Sequence, residues 1–201
     1  GPDQMAMLIE DLGLDPWARA HQWSKTPDPA KLEDFSVTVI GAGYGGLNAA
    51  VMLKRAGIPY THIEKDGGVG GTWYRNRYPG ARVDSPSRAY THVFGANVDL
   101  EYAFSPRALN QAYFDWVADE HGIRDHIEFD TEVRALTWDE GLAKWKIDVS
   151  GPNGDRTIES NAVITAVGFL CQPNMPNIPG MANFKGQSWH SSRWPAALPP
   201  D

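Results

Sequence analysis

The chain carries a single cysteine, Cys171. An internal disulfide is therefore excluded, and a reducing, cytoplasmic setting is expected. No apolar run approaches the ~20 residues that a membrane-crossing helix needs. The opening residues, Gly1-Pro2-Asp3-Gln4-Met5, lack the basic and apolar regions of a secretory signal. Gly-Pro ahead of a methionine reads instead as the remnant of a cleaved tag, and it is set aside from fold reasoning. Positive charge is in deficit, with 18 Lys and Arg against 25 Asp and Glu and a net charge of -7. That balance argues against nucleic acid or an anionic membrane as partner. No internal repeat is present.

What remains is ordinary in bulk and unusual in detail. At 201 residues the chain suits one large domain, or one and a half, with a real core. Eight Trp and seven Tyr are many for this length, and most of them are expected as core or as pocket walls.

The most informative run is Val37-Thr38-Val39-Ile40-Gly41-Ala42-Gly43-Tyr44-Gly45-Gly46. It predicts a strand over 36–41, a glycine turn, and a helix from about Tyr44 to Ala56 with Leu47 and Val51 facing inward. Gly57 stops that helix, and a second strand, Tyr60–Glu64, ends in an acid. This is the pattern of a dinucleotide-binding unit. Gly41 makes the tight turn, Gly43 lets a pyrophosphate approach the backbone, and Gly46 lets helix and strand pack closely. The helix N-terminus offers unpaired N–H groups to the phosphates. Glu64, eighteen positions past Gly46, stands where an acid would bond ribose hydroxyls. The bland alternative is a solvated carboxylate at a strand end. Gly70-Gly71-Thr72-Trp73 follows at once and permits a second close backbone approach.

Further along, residues 6–35 suggest one or two short helices on the outside, with Leu8, Ile9, Leu12, Leu14, Trp17 and Trp23 as apolar positions. Thr26-Pro27-Asp28-Pro29 reads as a linker. Residues 66–105 form a long loop whose aromatics argue against disorder. Ser105-Pro106 is expected to open a helix as N-cap and first helical residue, with Leu109, Ala112, Tyr113, Trp116 and Val117 inward and Gly122 at its end. A short strand, Ile127–Phe129, precedes an antiparallel set over 132–138, 144–149 and 156–159, with a turn at Asn153-Gly154. A buried apolar strand, Ala162–Val167, closes the series at Gly168. The fold class is α/β: a Rossmann-like parallel sheet with an antiparallel β-meander inserted as a crossover. The expected organisation is an N-terminal extension (1–35), a nucleotide-binding domain (36–170) and a linker (171–201).

Other stretches carry a resemblance. Arg77-Tyr78-Pro79-Gly80-Ala81-Arg82-Val83-Asp84, Thr165-Ala166-Val167-Gly168-Phe169 and Phe184-Lys185-Gly186-Gln187-Ser188-Trp189-His190-Ser191-Ser192-Arg193-Trp194-Pro195 join the two glycine motifs. Together they resemble class B flavoprotein monooxygenases, and within them Baeyer–Villiger monooxygenases, over residues ~36–195. The last stretch matches the family signature F-x-G-x-x-x-H-x-x-x-W-[P/D] at every fixed position. The resemblance implies an FAD site in which Gly41, Gly43, Gly46 and Glu64 hold the ADP part, with Tyr44, Gly45 and Lys65 also binding the cofactor. Gly71, Thr72 and Trp73 would lie along the flavin side, with Tyr90 and the backbone of Val133 as further contacts. It implies that Asp84 acts near the isoalloxazine ring by tuning a catalytic arginine, and that Arg82 and Asp84 also meet NADPH. It assigns no proton transfer to His190. The implied reaction takes NADPH and O₂ and converts a ketone to an ester or lactone through a flavin peroxide.

The chain departs from the family in one respect. Nothing in it supplies the second, NADPH-binding Rossmann domain or its arginine. The chain is therefore expected to be a fragment or one part of a split enzyme, inactive alone and completed by a second chain or a C-terminal region. Alternatives are a stand-alone FAD-binding module and an N- or S-oxygenating flavin monooxygenase, against which Trp194-Pro195 argues. A disulfide reductase of the flavin class is excluded by the single cysteine, and a plain NAD-binding dehydrogenase domain is the bland reading. No metal site is expected.

Overall fold

The computed structural model describes residues 1–11, 17, 21–95, 98–195 and 197–198. A helix, α1 (Pro2–Asp11), and a single turn, α2 (Pro29–Leu32), precede the sheet. Leu12 and Leu14, expected as apolar helix positions, lie outside the described residues. The segment read as a linker is corrected at its end. Asp28 accepts a hydrogen bond from the Ala30 N–H at 3.1 Å, and Pro29 opens α2, as an N-cap followed by proline should. Trp23 donates its indole N–H to the Ala56 carbonyl at 2.9 Å, which fastens this extension to the domain.

β1 (Val37–Ile40) is buried at all four positions. A strand covered on both faces reads as a continuous apolar run, not as an alternation. α3 (Tyr44–Ala56) follows and buries Gly46, Leu47, Ala50 and Val51. Gly57 ends it in the left-handed region (φ 70°), where a side chain would be strained. β2 (Tyr60–Ile63) then pairs in parallel with β1, Val39 standing opposite His62.

The long segment 66–105 contains one helical turn, α4 (Thr72–Arg75), and 3₁₀ turns at Ser87–Tyr90 and Val93–Gly95. Its order comes from an aromatic and hydrogen-bonded box. His92 stacks on Tyr44 (4.2 Å) and Phe94 (4.8 Å). Its Nε2–H donates to the Tyr44 carbonyl at 2.9 Å, so its Nδ1 accepts the Tyr113 O–H at 2.9 Å. The Tyr113 oxygen in turn accepts the His92 backbone N–H at 2.7 Å.

This box carries a pH dependence. Burial lowers the His92 pKa to about 4, whereas the unfolded chain takes up that proton near pH 6.5. The unfolded state therefore binds more protons between those values. Stability is expected to fall as pH drops from about 6.5 toward 4, by up to about 3 kcal/mol from this residue. Melting curves at pH 7 and pH 5 check it: His92→Phe should narrow the difference between the two midpoints, and an undiminished difference would contradict it.

α5 (Arg107–Glu120) buries Asn110, Tyr113, Phe114, Val117 and Ala118. The expected inward face is thus corrected by about one position. Leu109 and Trp116 stay 38% and 37% exposed, while Phe114 is fully buried. Phe114, which packs against Tyr44 and Tyr90, sets the rotation of the helix. The expected cap is corrected too. Pro106 is the N-cap, and its ring has no polar atom with which to cap the helix; the Ser105 hydroxyl, one residue earlier, is committed to that of Ser87 at 2.7 Å. Gly122 follows the helix with φ 56°, as its terminating role requires.

β3 (Ile127–Glu128) joins β2 in parallel. β4 (Glu132–Asp139), β5 (Lys144–Ser150) and β6 (Arg156–Ser160) form the antiparallel set, and β7 (Ala162–Thr165) returns to β1. The two sheets have orders β3-β2-β1-β7, all parallel, and β4-β5-β6. The meander is the crossover into β7, as the sequence predicts. In the β5–β6 connection the turn bond runs from the Gly154 N–H to the Gly151 carbonyl at 2.9 Å. Pro152 and Asn153 are therefore its central residues, and Gly154 follows at φ 82°. β7 was expected to be buried. It is the edge strand, and Ile164 is 36% exposed.

Candidate functional site

The chain leaves β1 for β2 on one side, and β7 arrives on the other. The ends of the parallel strands thus part at a switch point, where α/β sheets place their crevice. A cleft of 430 Å³ opens there, within the roughly 300–1,000 Å³ range of small-molecule sites. Its floor is the β1–α3 turn and its walls are the end of β2, the Gly70–Thr72 turn, the start of β4 and residues 165–172.

The end of β2 holds the floor. The Ile63 carbonyl accepts the Gly41 N–H at 2.8 Å, and Glu64 Oε2 accepts the Ala42 N–H at 2.6 Å. Glu64 Oε1 accepts the Asp66 N–H at 2.8 Å, and the Gly70 N–H donates to the Ala42 carbonyl at 2.9 Å. Glu64 is thus a buried carboxylate and not a solvated strand end. Burial raises its pKa above the ordinary carboxylate value, and the two backbone N–H groups pull the other way. Each oxygen spends one lone pair on the backbone and keeps acceptor capacity for a hydroxyl from the cleft.

The glycines divide by what needs them. Gly41 has φ 101°, and a Cβ there would stand 2.6 Å from the Ala166 carbonyl oxygen. A Cβ on Gly46 would stand 1.7 Å from the Gly41 oxygen. Gly43 differs: its φ is -83°, and an added Cβ would meet only Gly71, at an ordinary 3.6 Å. The protein itself has no need of glycine at 43, so the space kept there serves the cleft. Gly43, Tyr44 and Gly45 line that cleft at the start of α3, whose N-cap makes no side-chain bond. The first-turn N–H groups and the helix dipole therefore favour an anion at this spot.

The structure brings most of the expected residues together. Gly41, Gly43, Tyr44, Gly45, Glu64 and Lys65 line the cleft, as do Gly71, Thr72 and Val133. Gly46 lies beneath the floor. Trp73 and Tyr90 form a layer behind Tyr44, the Trp73 indole N–H donating to the Tyr90 hydroxyl at 3.1 Å. Arg82 and Asp84 are exposed and do not line the cleft. Arg82 instead donates to the Phe104 carbonyl at 2.6 Å. His190 is outside the cleft as well, its Nδ1 accepting the Ser192 N–H at 3.2 Å in the turn that abuts α4. Sequence reasoning missed Arg75, which bonds Asp66 at 2.5 Å and the Cys171 carbonyl at 3.0 Å, tying opposite walls together. Its only sequence signal was its place one helical turn after Gly71. Among the described residues no group of His, Cys, Asp and Glu is arranged to hold a metal ion, and no helix is long and apolar enough to cross a membrane.

Comparison with known proteins agrees with this geometry. A family described as NAD(P)-binding Rossmann-like domain matches residues 39–101. A Baeyer-Villiger monooxygenase of Streptomyces coelicolor is 42% identical over 164 residues, covering 81% of this chain and 31% of that protein. An acetone monooxygenase (methyl acetate-forming) of a Gordonia species is 37% identical over 165 residues, covering 80% and 30%. Among solved structures, OTEMO in complex with FAD and NADP superposes with a TM-score of 0.75 at 34% identity, over 83% of this chain and 32% of that one. An oxidized steroid monooxygenase bound to NADP gives 0.73 at 32% identity, over 82% and 32%. The chain thus spans about a third of the length of the proteins it matches.

Proposed function

Since the chain belongs to the Baeyer–Villiger monooxygenase family, we propose that it is the FAD-binding portion of an NADPH- and O₂-dependent monooxygenase that converts ketones to esters or lactones. The observation that carries the FAD site is Gly43, a glycine that neither backbone strain nor packing requires, set at an uncapped helix N-terminus in a cleft that also holds the buried Glu64 carboxylate. The residues fit the group. The first turn of α3 would take the pyrophosphate, Glu64 the ribose hydroxyls, and Lys65 with the Val133 backbone the adenine end. Gly71 and Thr72 would flank the flavin half, with Trp73 and Tyr90 supporting Tyr44 behind it. When bound, FAD supplies the redox and oxygen-transfer chemistry. The chain's part is to bind and orient it and to keep water from one side.

In this reading residues 36–170 are the FAD-binding unit and 171–201 a linker that carries the signature motif. Arg82 and the exposed Asp84 would face the nicotinamide cofactor. Asp84 would act at the flavin edge only when another part of the protein, or a second chain, covers that face. The described residues hold one glycine-turn site, which accommodates one dinucleotide. The setting is cytoplasmic. The test is a fluorescence titration of the 201-residue chain with FAD and, separately, with NAD. FAD is expected to bind with its emission quenched, NAD at least tenfold more weakly, and NADPH oxidation with a ketone should not exceed the buffer rate. Preference for NAD would overturn the flavin reading.

A further inference from the structure

We propose that His62 is a positioning residue for the cofactor turn, gripping one end of the Gly41–Ala42 peptide while Glu64 grips the other. This rests on the FAD reading above and adds a residue to it. His62 lies on β2 between Val39 and Ile127 of the neighbouring strands and is fully buried. Its Nε2 is 2.8 Å from the Gly41 carbonyl oxygen. A carbonyl only accepts, so Nε2 carries the proton. Nδ1 is left with a lone pair and has no hydrogen-bond partner among the described residues.

An orphaned acceptor in a dry core is a standing cost that valine or leucine would not carry. Packing therefore does not account for the imidazole; the bond to Gly41 does. The Gly41 C=O and the Ala42 N–H belong to one planar peptide unit. His62 holds its oxygen, and Glu64, two residues on and on the same face of the strand, holds its N–H at 2.6 Å. A rotation of this plane would release both bonds and turn the backbone that enters the cleft at Gly43. Burial also lowers the imidazole pKa below its ordinary value, which favours the neutral ring, and the bond to the Gly41 carbonyl selects its Nε2–H tautomer.

Three variants test the assignment, read by FAD affinity and by melting without FAD. His62→Gln places an amide N–H where Nε2 stood, His62→Asn places it one bond short, and His62→Leu removes it. His62→Leu is expected to melt at or above the wild type and to bind FAD about tenfold more weakly, the loss of one hydrogen bond to the turn. His62→Gln should bind within about threefold of the wild type, and His62→Asn should match leucine. Long-range ¹H–¹⁵N correlation should show the wild-type ring as the neutral Nε2–H tautomer. Wild-type affinity in His62→Leu, no recovery in His62→Gln relative to His62→Asn, or an Nδ1–H ring would each overturn the proposal. If His62→Leu does not fold, the glutamine and asparagine pair decides. A wild-type chain that binds no FAD would instead remove the cofactor reading itself.

Discussion

Gly43→Ala is expected to leave the fold intact and to weaken FAD binding roughly 10–100-fold, with Gly43→Val at or beyond the upper end. The backbone at 43 is in an ordinary extended conformation, and the new methyl would touch only Gly71 at 3.6 Å. Replacing an N-cap glycine by alanine costs about 0.5 kcal/mol, which lowers the melting midpoint of a chain this size by roughly 1–2 °C. The methyl would occupy the space through which a pyrophosphate reaches the first N–H groups of α3. Forcing an extra carbon into a fitted contact costs about 1–3 kcal/mol, which is the range of affinity loss given. Parallel melting and FAD titration check it. A large loss of stability with unchanged affinity would show that the glycine serves the fold and not a ligand.

Gly46→Ala should give the opposite pattern. Its Cβ would stand 1.7 Å from the Gly41 oxygen and 2.8 Å from the Gly41 carbonyl carbon. Both are backbone atoms, and the oxygen is held by His62. Relief requires lifting α3 from β1 or breaking the turn, a loss of about 3 kcal/mol or more and roughly 6–12 °C in melting midpoint. Gly45→Ala is the internal control. Its methyl would meet only the Ala166 methyl at 3.7 Å, on a helix where alanine is favoured over glycine by about 0.5–1 kcal/mol. A stable Gly46→Ala protein would mean that helix and strand do not approach as closely as described.

Local rules made the first βαβ unit legible. The apolar run at 37–40, the spacing of Gly41, Gly43 and Gly46 and the stop at Gly57 each have one structural solution, and the observed elements follow them. The meander was equally readable from the alternation around Ile147 and Val149. What failed were features decided by distant partners. Ser105 looked like an N-cap, but Ser87, eighteen residues earlier, claims its hydroxyl. The inward face of α5 was misphased because Phe114, and not Trp116, meets Tyr44 and Tyr90. β7 looked buried from its composition, yet its place at the sheet edge leaves Ile164 exposed.

The site divided the same way. Glu64 could be placed at the end of β2 by counting from Gly46, but counting could not show that its carboxylate also grips the Ala42 N–H. His62 and Arg75 carry no motif. Their roles come from a carbonyl 2.8 Å from one and from two cleft walls joined by the other. Arg82 and Asp84 belong to a motif that suggests cofactor contact, whereas the structure places them on an exposed loop outside the cleft.

The most direct measurement is a crystal structure of the chain grown with FAD. The pyrophosphate is expected over Gly43, within hydrogen-bond distance of the first N–H groups of α3. The ribose hydroxyls should lie on Glu64, the adenine beside Val133, and the Gly41–Ala42 peptide should still be held by His62 and Glu64. A dinucleotide seated elsewhere, or one whose ribose does not reach Glu64, would contradict the assignment of this cleft as the FAD site.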